Sequence, residues 1–351
     1  MTERSGILCG GNWIVDKLKF IDTYPRQDAL SNILGQSVGN GGSPFNILID
    51  LARLGATFPL AGIGLVGEDA DGQWIREQCA EHGIDAAQLG VHARAATSYT
   101  DVMTVQSSGR RTFFHQRGAN AFLGPEHFDF SASHGKIFHL GYLLLLDRLD
   151  EPDDEFGSVA ARVLSQATRA GFKTTVDVVS EDGDRFAKVV LPAMRHVDYC
   201  FLNEFELERT TGVHTRPDGE IDLAAVATAS AQLLEAGVRE WVVVHFPEGA
   251  SACGHNGQRI VQGSVRVPSS RIVGAVGAGD AFAAGVLYGL HEEASMETAL
   301  LHGVTCAASC LLAAGTSDGI LPVGQCLEMA AAHGLQTLCP EEAGMRMSSQ
   351  V

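Results

Sequence analysis

The chain has 351 residues, 45% hydrophobic and 19% charged, enough to bury a large core as one α/β domain with at most a small appendage. Its formal charge is −17, from 25 basic and 42 acidic residues, which argues against a nucleic acid or an anionic membrane as partner. No run of 18 apolar residues occurs and residues 1–5 lead into no signal-peptide pattern, so a cytoplasmic location is expected.

From the N-terminus onward, short apolar runs alternate with helical patterns, the signature of βαβ units and a mostly parallel sheet covered on both faces. Strands are predicted over 6–10, 58–64, 137–141, 174–177, 199–202 and 241–245. Helices are predicted over 45–54, 71–82, 154–170, 223–236 and 280–290. Two strand-like segments, about 13–38 and 97–117, break this rhythm, the second as a hairpin turning at Ser107-Ser108-Gly109. They are expected to form a small β lid on a single unit spanning 1–338, with 339–351 a polar tail. The eight cysteines include no Cys-x-x-Cys pair, so buried reduced thiols are expected.

Three short motifs bear on chemistry. Gly62-Ile63-Gly64-Leu65-Val66-Gly67 has the spacing of a dinucleotide fingerprint, but the acidic 68–72 insertion before the next helix would repel a pyrophosphate. Asn203 and Glu206 leave a predicted strand three residues apart. They suit either a helix capping box or a hydrated magnesium ion with its phosphate oxygens. Most informative is the run 273–285, where a glycine-rich turn enters a helix of small residues. The N–H groups of Gly277, Ala278 and Gly279 converge on an anion only if no large side chain blocks them, and the helix adds its positive dipole end. Asp280 does not help to bind phosphate, so it reads as a general base facing a nucleophilic hydroxyl, with a simple capping role as the alternative.

The core Gly277-Ala278-Gly279-Asp280-Ala281-Phe282-Ala283-Ala284-Gly285 resembles the signature of the ribokinase family, or PfkB carbohydrate kinases. Gly41-Gly42-Ser43-Pro44-Phe45-Asn46 and the Gly67-Glu68-Asp69 region are similar to its first signature. The resemblance implies a three-layer αβα sandwich with a β lid, ATP as co-substrate with Mg2+, and a sugar as acceptor. It places Asp280 as base and the 277–279 amides as anion hole. Asp16, Gly41, Gly42 and Asn46 would hold the sugar. Asn203, Glu206, His245, Gly249 and Gly279 would line the ATP site, with Asn203 and Glu206 toward the metal. The lid is the surface through which a homodimer would form. One departure stands out. Where the family usually has Asp-Thr, a pair that helps shape a monovalent-cation site, this chain has Gly274 and Ala275.

Overall fold

The structure, a computed structural model, describes residues 4–338; the tail expected at 339–351 lies outside them. The chain opens with β1 (Ile7–Gly11), β2 (Ile14–Ile21), β3 (Ile33–Gly41), α1 (Ser43–Leu54), β4 (Leu60–Gly67), α2 (Ala70–Glu81) and β5 (Ile84–His92). Next come β6 (Ser98–Val105), β7 (Arg111–Gln116), β8 (Ile137–Leu143), and a two-residue pairing of β9 (Pro152–Asp153) with β10 (Gly157–Ser158). Helix α3 (Val159–Arg169) leads to β11 (Lys173–Val178), α4 (Phe186–Ala193), β12 (Tyr199–Asn203), α5 (Glu204–Thr211), α6 (Leu223–Ala236) and β13 (Trp241–Phe246). The hairpin β14 (Gly249–Gly254) and β15 (Arg259–Gly263) precedes α7 (Ala278–His291), α8 (Met296–Cys310) and α9 (Val323–His333).

Nine strands form one sheet in the order β15-β14-β13-β12-β11-β8-β1-β4-β5. From β13 to β5 all neighbours run parallel; β14 and β15 close one edge as an antiparallel hairpin. A strand covered on both faces reads as an unbroken apolar run, and Ile7, Leu8 and Cys9 of β1 are all buried. One hydrophobic cluster, with Phe138, Leu164 and Leu233, lies on one face, and a second, with Phe45, Leu51 and Leu287, lies on the other. The architecture is a ribokinase-like αβα sandwich.

The two irregular segments pair as a separate four-stranded sheet, β3-β2-β6-β7. Strand β2 leaves β1 after only Asn12 and Trp13, so the lid grows directly from a central strand. Trp13 fixes that root: its ring is fully buried and its Nε1–H donates to Ile63 O at 2.8 Å. A Cβ on Gly62 or Gly64 would lie 2.4 or 2.1 Å from the indole, so these two glycines of the 62–67 run make room for a tryptophan. From the second lid segment, Asn120 clamps the same residue, accepting from Trp13 N–H at 3.2 Å and donating to Trp13 O at 3.1 Å.

Sequence and structure differ locally. The helix expected to start at 154 starts at Val159, because Asp153 accepts from the amides of Glu155 and Phe156 and ties the preceding stretch into a turn. Ser158 then caps the helix through Ala161 N–H at 3.2 Å. Seven cysteines lie within the described residues, all buried and none disulfide-bonded.

Helices α7 and α8 pack closely through glycine: a Cβ on Gly285 would lie 2.5 Å from His302 O. Replacing Gly285 by alanine is expected to destabilise the fold by about 1–3 kcal/mol through overpacking, seen as a lower urea midpoint with an unchanged slope.

Candidate active site

A cavity of about 640 Å³ opens at the carboxyl ends of the parallel strands, between the sheet and the lid. Ligands collect at this edge of open α/β sheets because loops there are free of strand pairing. Asp16, Gly42, Asn46, Asn203, Glu206, His245, Gly277, Ala278, Gly279 and Asp280 all line it. Gly41 and Gly249 do not. Gly41 lies behind Asp16, where a Cβ would come within 2.4 Å of the carboxylate, so the missing side chain is what admits the acid. Gly249 starts β14, with Gln262 O 2.2 Å from a Cβ built on it, and serves the edge hairpin.

The turn before α7 has the form its glycines require. Gly277 is the N-cap with φ +76°, in the left-handed region, and any Cβ there would meet Thr316 Cγ2 at 2.3 Å. Ala281 N–H closes the first helical bond onto Gly277 O at 2.8 Å, while Ala278 N–H has only a long 3.4 Å bond to Ala275 O. The mouth of α7 therefore presents weakly engaged amides toward the cavity. Because Gly277 holds the cap position, Asp280 is not the capping residue.

Asp280 is buried and tightly held. Its Oδ2 accepts from Asn46 Nδ2 at 2.7 Å, and both its oxygens lie 2.7 Å from the Tyr142 hydroxyl. Asn40 in turn donates to Asn46 Oδ1 at 2.8 Å, which fixes the Asn46 amide with its nitrogen toward the acid. Tyr142 was invisible to sequence reading: a tyrosine ending an apolar strand looks like core, and only the topology sets β8 opposite α7.

Asp16 sits on β2, buried, beside Thr100 and His115, its neighbours in successive lid strands; Thr100 Oγ1 and His115 Nδ1 are 3.0 Å apart. On the other side, Asn203 and Glu206 form a complete capping box. Asn203 Oδ1 accepts from Glu206 N–H at 2.8 Å, and Glu206 Oε2 accepts from Asn203 N–H at 2.9 Å. The Glu206 carboxylate also accepts from Ser180 at 2.6 Å. Capping and facing the cavity coexist here. His245 packs against Phe282, ring centroids 5.2 Å apart, and burial lowers its pKa to about 4, making it a neutral wall.

Burial raises four of the acids in this cavity. Asp280 reaches about 6, with the Tyr142 and Asn46 hydrogen bonds opposing the shift. Asp16 reaches about 7, from burial and then the charge of Asp280. Burial likewise takes Glu206 to about 7, and it pushes Asp177 well above the carboxylate range with help from Asp280 and Glu206.

A parallel αβα sandwich with a glycine-rich helix mouth, an embedded carboxylate and a β lid defines a small-molecule kinase of ribokinase-like fold. Residues 13–323 match the model of the pfkB family of carbohydrate kinases. This chain belongs to that family and is an ATP-dependent carbohydrate kinase. It is 28% identical over 302 residues to a ribokinase of Arabidopsis thaliana, covering 84% of this chain and 73% of the relative. It is 29% identical over 273 residues to a fructokinase of Escherichia coli, covering 75% and 82%. The structure of Arabidopsis thaliana ribokinase complexed with ribose and ATP superimposes with a TM-score of 0.76 at 22% identity, over 93% of this chain and 98% of that one.

Tyr142 gives a pH test. Its O–H donates to the charged form of Asp280, which favours that form and opposes the upward shift. Tyr142→Phe is expected to raise the Asp280 pKa by roughly one unit, given about 1.5 kcal/mol for a hydrogen bond to a charged group. With Asp280 as the base, active only when deprotonated, the acid limb of kcat/KM, near pH 6 in the parent, is expected to move to higher pH in a pH–rate profile.

Proposed function

We propose that the protein transfers the γ-phosphoryl group of ATP to a primary hydroxyl of a furanose-form sugar such as ribose or fructose. The observation that carries this reading is Asp280: a buried carboxylate in the first turn of a helix whose mouth faces the same cavity as a lid-borne acid, Asp16. Asp16 offers several lone pairs to a pair of sugar hydroxyls, and the bare backbone of Gly42 lets the sugar come close. Asn46 orients Asp280 and borders the acceptor. The acceptor O–H gives its proton to Asp280 as its oxygen bonds to the γ-phosphorus. The bond from that phosphorus to the β–γ bridging oxygen breaks, and ADP leaves with the electron pair. The Gly277, Ala278 and Gly279 amides receive the charge on the transferred group.

The donor set also fits a divalent cation. Asp177 and Glu206 face the cavity, the charge of Glu206 helps to hold Asp177 above the carboxylate range, and a hard cation relieves such repulsion. Among the described residues no cluster of three or more acids, histidines or cysteines could hold a metal on its own. One or two carboxylates suffice for magnesium, which keeps several waters and phosphate oxygens. Asn203 and Glu206 would hold it, and it would neutralise β- and γ-phosphate oxygens when bound. Two copies of the chain would pair through the lid, where β3 exposes Ile33, Leu34 and Val38. The reading includes the cytoplasm as location; among the described residues no helix is long and apolar enough to cross a membrane.

An ADP-release screen across sugars, sugar acids and nucleosides with ATP and magnesium tests the activity. On the acceptor it identifies, Asp280→Asn is expected to lower kcat by about 10² to 10⁴-fold with acceptor KM within a few-fold, since proton removal is lost and the pocket is kept. Near-normal turnover would remove Asp280 as base. Gly274 and Ala275 offer a cation no side-chain oxygen. Exchanging potassium for a bulky inert cation at constant ionic strength is therefore expected to change the rate less than about two-fold, worth about 0.4 kcal/mol of barrier. A saturable, potassium-specific increase of about ten-fold would contradict this.

A further inference from the structure

Side chains alternate across a strand, and residues opposite one another on neighbouring strands share a face. The lid register sets Asp16 of β2 opposite Thr100 of β6, and Thr100 opposite His115 of β7, so the three side chains form one row across the sheet. All three line the cavity. Counting hydrogen bonds along this row fixes the place of one proton. Thr100 has a single hydroxyl hydrogen and gives it to Asp16, because an ionised carboxylate accepts only. The Thr100 oxygen, 3.0 Å from His115 Nδ1, is left to accept, so Nδ1 carries the hydrogen of the ring. Burial and then the charge of Arg117 lower the His115 pKa to about 4, against the pull of Asp147, and the imidazole is neutral with one N–H. His115 Nε2 is therefore a bare lone pair. It is shut off from bulk water, Arg117 does not donate to it, and among the described residues it has no hydrogen-bond partner. A buried acceptor without a donor costs free energy that a ligand hydroxyl under the lid would recover.

The row also decides what kind of molecule brings that hydroxyl. Asp16 and His115 Nε2 both offer lone pairs and no proton, so each calls for an O–H donor. A carboxylate or phosphate monoester would set further lone pairs, and its own charge, against the charge of Asp16. It would find no unpaired cation beside His115 to offset them. Arg117 is paired with Asp147, 3.4 Å away. Arg111 rises four residues, about 13 Å, from His115 along β7, with its guanidinium against the backbone of Gly274.

We propose that His115 is a specificity-determining residue of the acceptor site, its Nε2 accepting a hydrogen bond from a sugar hydroxyl that is neither the one phosphorylated nor one held by Asp16. The acceptor class is then a neutral sugar with several free hydroxyls, and sugar acids and sugar phosphates are turned away. The inference rests on the kinase reading and narrows it. Thr100 is the positioning residue between the two ligands, tying the tautomer of His115 to the charge of Asp16. Because all three belong to one small sheet, the lid carries the whole hydroxyl-reading row as a unit.

The test follows ADP release from ATP and magnesium with neutral sugars set against their acids and phosphates, such as ribose against ribonate and ribose 1-phosphate, and fructose against fructose 1-phosphate. On the parent enzyme the best neutral sugar should exceed every acid and phosphate by about a hundred-fold or more in kcat/KM. Monodeoxy analogues of that sugar are then compared on the parent and on His115→Leu. One position should lose about ten- to a hundred-fold in kcat/KM on the parent and less than about three-fold on the variant, since a hydrogen bond already absent cannot be lost twice. A ring needed only for packing would leave both enzymes with the same deoxy profile. His115→Gln, whose amide oxygen still accepts, should stay nearer the parent than His115→Leu, and His115→Lys, which puts a cation in place of the lone pair, should move the preference toward acids by about ten-fold. A further measurement needs no variant with altered packing: nitrogen NMR of the sugar-bound parent at neutral pH should show His115 protonated at Nδ1 and bare at Nε2. An acid or phosphate as the preferred acceptor, a hydrogen on Nε2, or a deoxy profile unchanged by His115→Leu would each overturn the proposal. A parent that binds no ADP and releases none with any acceptor would instead remove the kinase reading, and this inference with it, a result distinct from the other three.

Discussion

Carboxylates brought together in a space too dry to solvate them set the terms for the rest of this structure. Asp16, Asp177, Glu206 and Asp280 reach one cavity from the lid, from the end of β11 and from the first turns of α5 and α7, and the charge of Asp280 makes the other three harder to ionise. The surrounding scaffold answers with donors rather than with cations of its own: Tyr142 and Asn46 on Asp280, Thr100 on Asp16, Ser180 and Asn203 on Glu206. Neutral donors keep the acids poised near neutrality without quenching them by salt bridges, which leaves their charge free for incoming protons and cations.

That solution fixes other choices in the fold. Asp280 lies in the first turn of α7, where the helix dipole favours its charge, and the turn before it has to be glycine because Gly277 adopts φ +76° against Thr316. Asn46 lies in the first turn of α1 and arrives beside Asp280 because α1 and α7 cover the same face of the sheet. Two helices entering the cavity from one layer, glycine-capped at both mouths, give the site its backbone donors without long basic side chains.

Much of this was legible in the sequence, for physical reasons that differ by element. The central strands announced themselves because both their faces are dry, so β1, β8, β11, β12 and β13 read as apolar runs. Strand β5 has one wet face and small residues at Ala86, Ala87 and Gly90, so nothing in its composition marked it. The hairpin of β14 and β15 is rich in glycine and alanine and passed for loop. At the site, the glycine motifs and Asp280 were visible because only a few residue types permit those backbone shapes. Tyr142 and Thr100 were not, since a tyrosine and a threonine in strands carry no spacing signal; their contacts with Asp280 and Asp16 come from which strands the topology sets face to face. The 62–67 run has the spacing of a nucleotide loop, a reading its acidic sequel already argued against, and Gly62 and Gly64 serve an indole ring instead.

That indole has a further consequence. The lid leaves and rejoins the core at two distant points of the sequence, and Trp13 with Asn120 binds the two exits to each other and to β4. Everything beyond that knot can be redrawn by mutation while the sheet, the α7 mouth and Asp280 remain as they are. A lineage carrying this arrangement is free to drift from one acceptor to another by changing lid residues alone, with the phosphorylating machinery inherited intact and only the knot under strict constraint.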